Sequence, residues 1–366
     1  MEILTLLDSN VKVLQSCPMK AVTMSDIGLQ AGVSKNTVSL ALRNDPQIPE
    51  STRRRIQGIA AALGYQRNPV VAQLMAQLRS DAFSGSKATL ALINAHTDLD
   101  AFNNHPTIPT YVSGCKSRAA HLGYGLDPFW LHDPDLNGER LNRIFKARGI
   151  RGIVVVGLMN SNRLPERFSQ TWENYPCVVT GVRTRQPALS FACTDHHIIA
   201  LRAFEKAVEL GYRRPGLVLD ETIDHLVEGR FTAGYRIGQN ALPRKDRLNP
   251  FYQVLAAKTN PLLFRRWLDK EKPDVIFTLY NSVRGALESF GYRIPDDIGL
   301  IQLEHRDDRP EWAGMNQHNG HAGEAAVDMV IGMMHSGESG VPSFPRATLI
   351  GGTWVDGKTV KPMALA

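Results

Sequence analysis

The sequence predicts an N-terminal all-α helix-turn-helix domain followed by an α/β core of two doubly wound parallel-sheet subdomains. Three observations carry that expectation. Two amphipathic helical stretches flank a short glycine-containing turn near residue 32, basic charge is concentrated between residues 20 and 80, and from residue 88 onward short apolar runs alternate with helical stretches.

The first helix of the N-terminal domain begins at Thr23-Met-Ser-Asp26, where a hydroxyl and a carboxylate stand three residues apart as in a capping box. Ile27 and Ala31 share one face, and Gly32 can adopt the left-handed conformation that ends a helix, with Val33 packing into the turn. Ser34 suits the cap of a second helix, in which Val38 and Leu42 lie four apart. That spacing turns Lys35, Asn36, Ser39 and Arg43 away from the small core. A third helix places Ile56, Ala60 and Leu63 inward, with Arg53, Arg54 and Arg55 near its start. In a helix-turn-helix the second helix is the one that reads DNA.

Composition narrows the classes. The chain has 366 residues, 43% hydrophobic and 21% charged, which suits two or three globular domains. No apolar run is long enough to span a bilayer. Residues 1–19, with Asp8, Asn10, Lys12 and Gln15 among their apolar positions, are expected to be an N-terminal extension and not a signal peptide. Cys17, Cys115, Cys177 and Cys193 form no C-x-x-C pair, so reduced, mostly buried thiols in a cytoplasmic protein are expected. Between Lys20 and Ser80, eight basic residues face three acidic ones, a net +5 out of +6 for the whole chain. A basic module on a nearly neutral body fits a nucleic-acid reader.

After the domain at 20–66, residues 67–87 read as a hinge helix and linker. Asn68 caps, Pro69 suits a first helical position, and Val71, Leu74, Met75 and Leu78 make an apolar stripe before Ser80–Lys87. In the core, strands are expected at 89–95, 127–131, 151–158, 177–182 and 189–195. Helices are expected near 111–121, 138–148, 163–173 and 196–210. A second set follows, with strands in GLVLD, FYQVLA, DVIFTLY and IGLIQLE, then a helix from His318 to His335 and a strand at 346–352. The predicted division of 88–366 assigns about 88–212 and 305–335 to lobe 1, and about 213–304 and 336–366 to lobe 2. Ligands of such folds sit at the carboxyl ends of the strands, here the cleft between lobes.

Catalytic and metal signatures do not emerge. There is no G-x-S-x-G, Walker loop, H-E-x-x-H or G-x-G-x-x-G after a strand. His196 and His197 are adjacent, so their side chains point about 100° apart on a helix and chelate poorly. His132-Asp133 and His305-Arg306-Asp307-Asp308 look like surface or rim loops. No catalytic residue, metal or cofactor is expected.

The stretch from Val22 to Pro69 resembles the LacI/GalR family of bacterial transcription regulators. Its pattern T-x-x-D-[IV]-A-x-x-A-G-V-S-x-x-T-V-S-x-x-L, continuing to L-G-Y-x-x-N, is met at Thr23, Asp26, Ile27, Ala31, Gly32, Val33, Ser34, Thr37, Val38, Ser39, Leu42, Leu63, Gly64, Tyr65 and Asn68. Weaker echoes at Asp195, 210–214, 295–298, Gln317 and Gly323 extend the resemblance to about residue 360. The resemblance implies a DNA-binding surface that also takes in Thr23, Leu40, Arg43, Arg53 and Asn68. In it Lys35 and Asn36 meet base edges, Ser34, Thr37 and Ser39 hold the backbone, and Leu74 wedges into the minor groove.

The departures matter as much. Leu40 stands where the family commonly has an arginine that contacts guanine, so a thymine methyl contact or none is expected there. Pro49 replaces a serine cap, and Asn68-Pro69 with Leu74-Met75-Ala76 differ from the common hinge.

The core implied by the resemblance is like that of periplasmic sugar-binding proteins. Planar hydrogen-bonding groups and an aromatic face suit a polyol ligand. Effector candidates at strand ends are Asn94, His96, Trp130, Arg183, Asp195, Arg230, Tyr280, Asn281 and Glu304, with Phe231 at the position where the family often has a ligand-gripping arginine. Glu304 replaces the usual aspartate.

The sequence thus points to a cytoplasmic, nucleoid-associated homodimeric regulator, acting as a repressor on a double-stranded operator under a carbohydrate effector, with no membrane partner. The alternative is a cytoplasmic small-molecule-binding protein that no longer responds to a ligand or reads a defined operator.

Overall fold

The computed structural model describes residues 22–42, 44–45, 47–65 and 88–363. The chain divides into two compact units, residues 1–83 and 84–366.

In the first unit, α1 (Met24–Ala31), α2 (Lys35–Ala41) and α3 (Glu50–Ala62) surround a small core of Ile27, Ala31, Val38, Ala41, Ile56 and Ala60. The capping box forms: the Asp26 amide donates to Thr23 Oγ1, and the Thr23 amide donates to Asp26 Oδ2 at 2.8 Å. Gly32 takes φ 66°, and the Val33 amide folds back to the Gly28 carbonyl at 2.9 Å. Gly28 is required for that closeness, because a Cβ there would lie 2.8 Å from the Val33 carbonyl oxygen.

The second unit opens with β1 (Thr89–Asn94), α4 (Ala101–Asn104), α5 (Ile108–His121), β2 (Gly125–Trp130), α6 (Gly138–Arg148), β3 (Ile150–Val156), α7 (Ser169–Asn174), β4 (Cys177–Thr180) and β5 (Ser190–Thr194). It continues with α8 (His196–Glu209), β6 (Pro215–Val218), α9 (Glu221–Leu226), α10 (Arg230–Gly238), α11 (Val254–Thr259), α12 (Leu262–Glu271), β7 (Val275–Thr278), α13 (Ser282–Ser289) and β8 (Gly299–Gln302). β9 (Ala313–Asn316), α14 (Asn319–Ser336), β10 (Ala347–Ile350) and β11 (Thr353–Val355) complete it. Six strands form a parallel sheet in the order β10-β5-β4-β3-β1-β2. Five form a second in the order β11-β9-β8-β7-β6, with only β11 antiparallel. Central strands such as β4, β5, β7 and β8 are buried along their length, as strands covered on both faces must be. Among the described residues no helix is long and apolar enough to cross a membrane.

The division into lobes differs from the predicted one at every crossing. The first crossing falls at Asp195, not 212: α8 packs on α10 and against β9 and β11 of the second sheet. Within 305–335, β9 belongs to the second sheet, and α14 packs on α5 and the first sheet. β10, expected in lobe 2, pairs with β5 in the first sheet, and β11 returns to the second. Single-strand returns leave no periodicity that names the sheet they join. The strand expected in FYQVLA is reduced to isolated bridges at Phe251 and Gln253, and α11 follows. The Asp220 carboxylate receives the Leu255 amide at 3.4 Å and so favours that helix. The helix expected at 163–173 shortens to a 3-10 turn at 166–168 and α7, following Pro165.

α5 and α14 meet so closely that a Cβ on Gly114 would lie 1.9 Å from the Gly320 carbonyl oxygen. Their contact places α14, sequence-remote, on the first lobe.

The three crossings run side by side. The Asp195 amide donates to the Ile350 carbonyl at 2.8 Å, and His318 Nε2 meets Thr353 Oγ1 at 2.9 Å. Thr194 Oγ1, fully buried, lies 3.0 Å from both the Gln317 carbonyl and Asn319 Oδ1. Thr194→Val keeps the shape and removes that donor, leaving buried acceptors unpaired. The variant is expected to lose about 1–3 kcal/mol of stability, measured by urea unfolding of the full chain.

Candidate DNA-reading helix and ligand cavity

Among the described residues of the N-terminal unit, three of the four basic side chains bond within the unit itself. Arg53 Nη1 donates to the Asn44 carbonyl at 2.8 Å, Arg55 Nη1 to the Ala31 carbonyl at 2.9 Å, and Gln57 Nε2 to the Ala41 carbonyl at 3.0 Å. Three α3 side chains thus satisfy carbonyls at or just beyond the C-terminal ends of α1 and α2, where helix geometry leaves acceptors unpaired. Arg54 pairs with Glu50 on its own helix. Arg53, expected at the DNA surface, is therefore first a brace of the α2–α3 turn.

The first turn of α2 has the opposite character. Ser34 caps it, accepting the Thr37 amide at 3.1 Å while its hydroxyl meets Thr37 Oγ1 at 2.9 Å. Lys35 and Asn36 stand exposed beside that cap, whereas Ser39 and Leu40 are half-buried. Thr23 is exposed at its capping box. Arg43, Asn68 and Leu74 lie outside the described residues.

In the second unit, a cavity of about 540 Å³ opens at the carboxyl ends of strands from both sheets. Five of the expected effector residues line it: His96, Phe231, Tyr280, Asn281 and Glu304. The other five lie outside its lining, for identifiable reasons. Asn94 is buried and accepts the His96 amide at 2.9 Å, and Trp130 Nε1 donates to the His96 carbonyl at 3.0 Å, so both position His96. Asp195 caps α8, accepting the Ile198 amide at 3.4 Å. Arg183 lies 3.5 Å from Glu228, and with Arg230 it lines a small neighbouring pocket.

Residues the sequence did not single out complete the polar side. Thr107 and Arg306 Nη2 both donate to Glu304 Oε2, at 3.2 and 3.0 Å, and Asn319 Nδ2 donates to Oε1 at 3.0 Å. Glu304 is thereby tied to α14 and to the Thr107 loop, and Arg306, expected on a rim, is its partner inside the cavity. His105 Nδ1 accepts the Thr107 and Ile108 amides at 3.1 and 3.3 Å, capping α5. Burial, then the neighbouring His96 and Arg306, push its pKa down to about 4. His196 lies 4.8 Å from the Phe231 ring centroid and is held down to about 3 by burial and the Arg230 charge. His105 and Thr107 sit in a loop without periodicity, so no sequence signal marked them. Cys115, Cys177 and Cys193 are free and buried, and burial raises all three thiols.

Residues 23–68 match the family described as "Bacterial regulatory proteins, lacI family". Across the wider chain, the HTH-type transcriptional repressor CytR of Escherichia coli strain K12 is 24% identical over 301 residues, 78% of this chain and 81% of that protein. The HTH-type transcriptional regulator MalR of Streptococcus pneumoniae strain TIGR4 is 22% identical over 196 residues, 53% of this chain and 55% of that protein; the match spans about half the length of MalR. Among solved structures, a transcriptional regulator CelR–cellobiose complex aligns with a TM-score of 0.57 at 17% identity, covering 92% of this chain and 99% of that one. The lac repressor dimer bound to operator and the anti-inducer ONPF aligns at 0.55 and 18% identity, covering 93% and 100%. The helix-turn-helix unit matches the lacI-family pattern over residues 23–68, and the two-lobed core has the fold of these regulators.

His105 yields a pH prediction. Its folded pKa lies below the ordinary 6.5, so its contribution to stability is complete above pH 6.5 and lost as pH falls toward 4. His105→Asn keeps an acceptor for the α5 amides and cannot titrate there. Its melting temperature should fall less than that of the unsubstituted chain between pH 6.5 and 4.5, read by thermal unfolding.

Proposed function

We propose that this chain is a cytoplasmic, sequence-specific DNA-binding regulator, acting as a repressor, whose operator affinity is set by a small molecule in the interlobe cavity. The observation that carries the reading is the first turn of α2. Ser34 and Thr37 satisfy each other while Lys35 and Asn36 stand exposed in a unit that matches the lacI-family pattern. Asn36 can pair bidentately with adenine, and Lys35 can reach guanine or phosphate.

One helix-turn-helix reads a half-site, so the functional form is a homodimer on a pseudo-palindromic operator. The effector changes the angle between lobes and thereby favours either the DNA-bound or the free arrangement of the two modules, in proportion to its differential affinity for the two states. A carbohydrate is the effector that the family resemblance suggests. The aromatic groups Tyr280 and Phe231 support a ring ligand, while the commitment of Glu304 to Thr107, Arg306 and Asn319 weighs against a simple hexose.

The test is selection of random duplexes by the purified chain, with and without Lys35→Ala and Asn36→Ala together. A two-fold-symmetric motif that disappears in the double variant is the expected outcome. An unchanged motif, or none in either protein, would overturn the reading. At Leu40 the preferred site should show no guanine dependence, because an apolar side chain can contact only a thymine methyl. Selection with Leu40→Ala checks this: losing a guanine preference would contradict it.

A further inference from the structure

We propose that the interlobe cavity accepts an uncharged ligand with one broad apolar face, its few polar atoms being hydrogen-bond acceptors seated at the His96–His105 end. This rests on the cavity being the effector site. Within the second lobe's wall, Ile223, Leu226, Val227, Phe231 and Leu279 make an apolar face with the Tyr280 ring beside them, while His196, Asn281, Ser282, Glu304 and Arg306 of the same lobe supply polar groups elsewhere in the lining. Phe231 comes from the first turn of α10. The Arg230 side chain next to it lines the adjoining pocket with Arg183 and Glu228, so that charge is spent outside the cavity.

The lining carries one acid and one base, Glu304 and Arg306, and they are paired at 3.0 Å. The other Glu304 oxygen already accepts from Asn319. A ligand bringing a net charge would be buried without a counter-charge, which is costly. His105 and His196 do not alter the balance. Burial and nearby arginines hold His105 and His196 below the neutral range, so they remain uncharged at pH 7.

The polar end offers donors. His96 Nδ1 accepts the Asp98 amide at 3.0 Å, and His105 Nδ1 accepts two amides, so in each neutral ring the proton resides on Nε2. The rings lie 5.3 Å apart. Asn281 adds an amide whose oxygen already receives Gln302 Nε2 at 3.3 Å, leaving its N–H groups. A carbonyl or ether oxygen fits this end, and a fused aromatic ring fits the apolar wall. The volume of about 540 Å³ holds more than one six-membered ring.

Three probes separate the alternatives on the full chain: 7-methoxycoumarin (uncharged, aromatic, acceptors only), coumarin-3-carboxylate (the same ring system with a charge) and methyl glucoside (uncharged, polyhydroxylated, no aromatic face). Calorimetric titration should give 7-methoxycoumarin a Kd at least about tenfold below either of the others. Phe231→Arg should weaken it and favour the carboxylate. Ile223→Gln, at a half-buried position that does not endanger folding, should weaken 7-methoxycoumarin alone. Tighter binding of methyl glucoside or of the carboxylate to the unsubstituted chain overturns the proposal, as does Ile223→Gln binding without loss.

Operator selection on the same preparations separates the two readings. A protein that selects an operator and binds none of the probes discards the ligand class alone. One that binds 7-methoxycoumarin and selects no operator discards the regulator reading while the ligand class stands.

Discussion

The two-lobed core depends on three chain crossings held at one line, and the buried hydroxyl of Thr194 ties the first to the second. It faces the Gln317 carbonyl and Asn319 Oδ1 on the second crossing. Buried polar groups must be satisfied, so these partners fix the register of the crossings in a way that apolar packing would not. The third crossing is equally constrained. At Gly352 a Cβ would lie 2.9 Å from the Asn316 carbonyl oxygen and press on Ile199, so a side chain there would force the second and third crossings apart. The same network reaches the cavity, because Asn319 passes from Thr194 to Glu304, and Glu304 to Thr107 and Arg306. Polar groups that hold the lobes together and polar groups that face a ligand are therefore one connected set.

The N-terminal unit solves a different problem with charge. Three short helices leave many terminal carbonyls and only a small core, so α3 uses Arg53, Arg55 and Gln57 to satisfy acceptors at the ends of α1 and α2. Positive charge placed against helix C-termini is favourable in its own right. The cost is that these cations are less available to phosphates, and the exposed turn of α2 becomes the natural contact. Net charge alone would have credited both arginines to DNA.

In the cavity, both lobes supply polar and apolar groups. The first lobe contributes His96, His105, Thr107 and Tyr111 from loops and from the start of α5, along with Leu158, Met159 and Val182. The second contributes the apolar Ile223, Leu226, Val227 and Phe231 along α9, the α9–α10 turn and the start of α10, and the polar Asn281, Glu304 and Arg306. The cavity thus sets a cluster of hydrogen-bonding groups beside an apolar face. That arrangement selects for an amphipathic shape instead of a uniformly hydroxylated one.

The sequence by itself determined the local elements. The Thr23–Asp26 box, Gly32, the Ser34 cap and the Ile27, Val38 and Ile56 spacing specify the three-helix unit, since caps and apolar periodicity act within a few residues. Strands β1 and β3 to β8 were also legible, because a strand buried on both faces must be an apolar run, and the edge strands β2 and β10 fell within expected stretches as well. Half of the expected effector residues reach the cavity, since strand ends are where such folds place ligands. Only the tertiary structure decided which sheet β9, β10 and β11 join, that Arg306 meets Glu304, and that Asn94 and Trp130 serve His96 instead of a ligand. Each of those outcomes turns on groups brought together from distant positions, and neither periodicity nor capping carries information over that range.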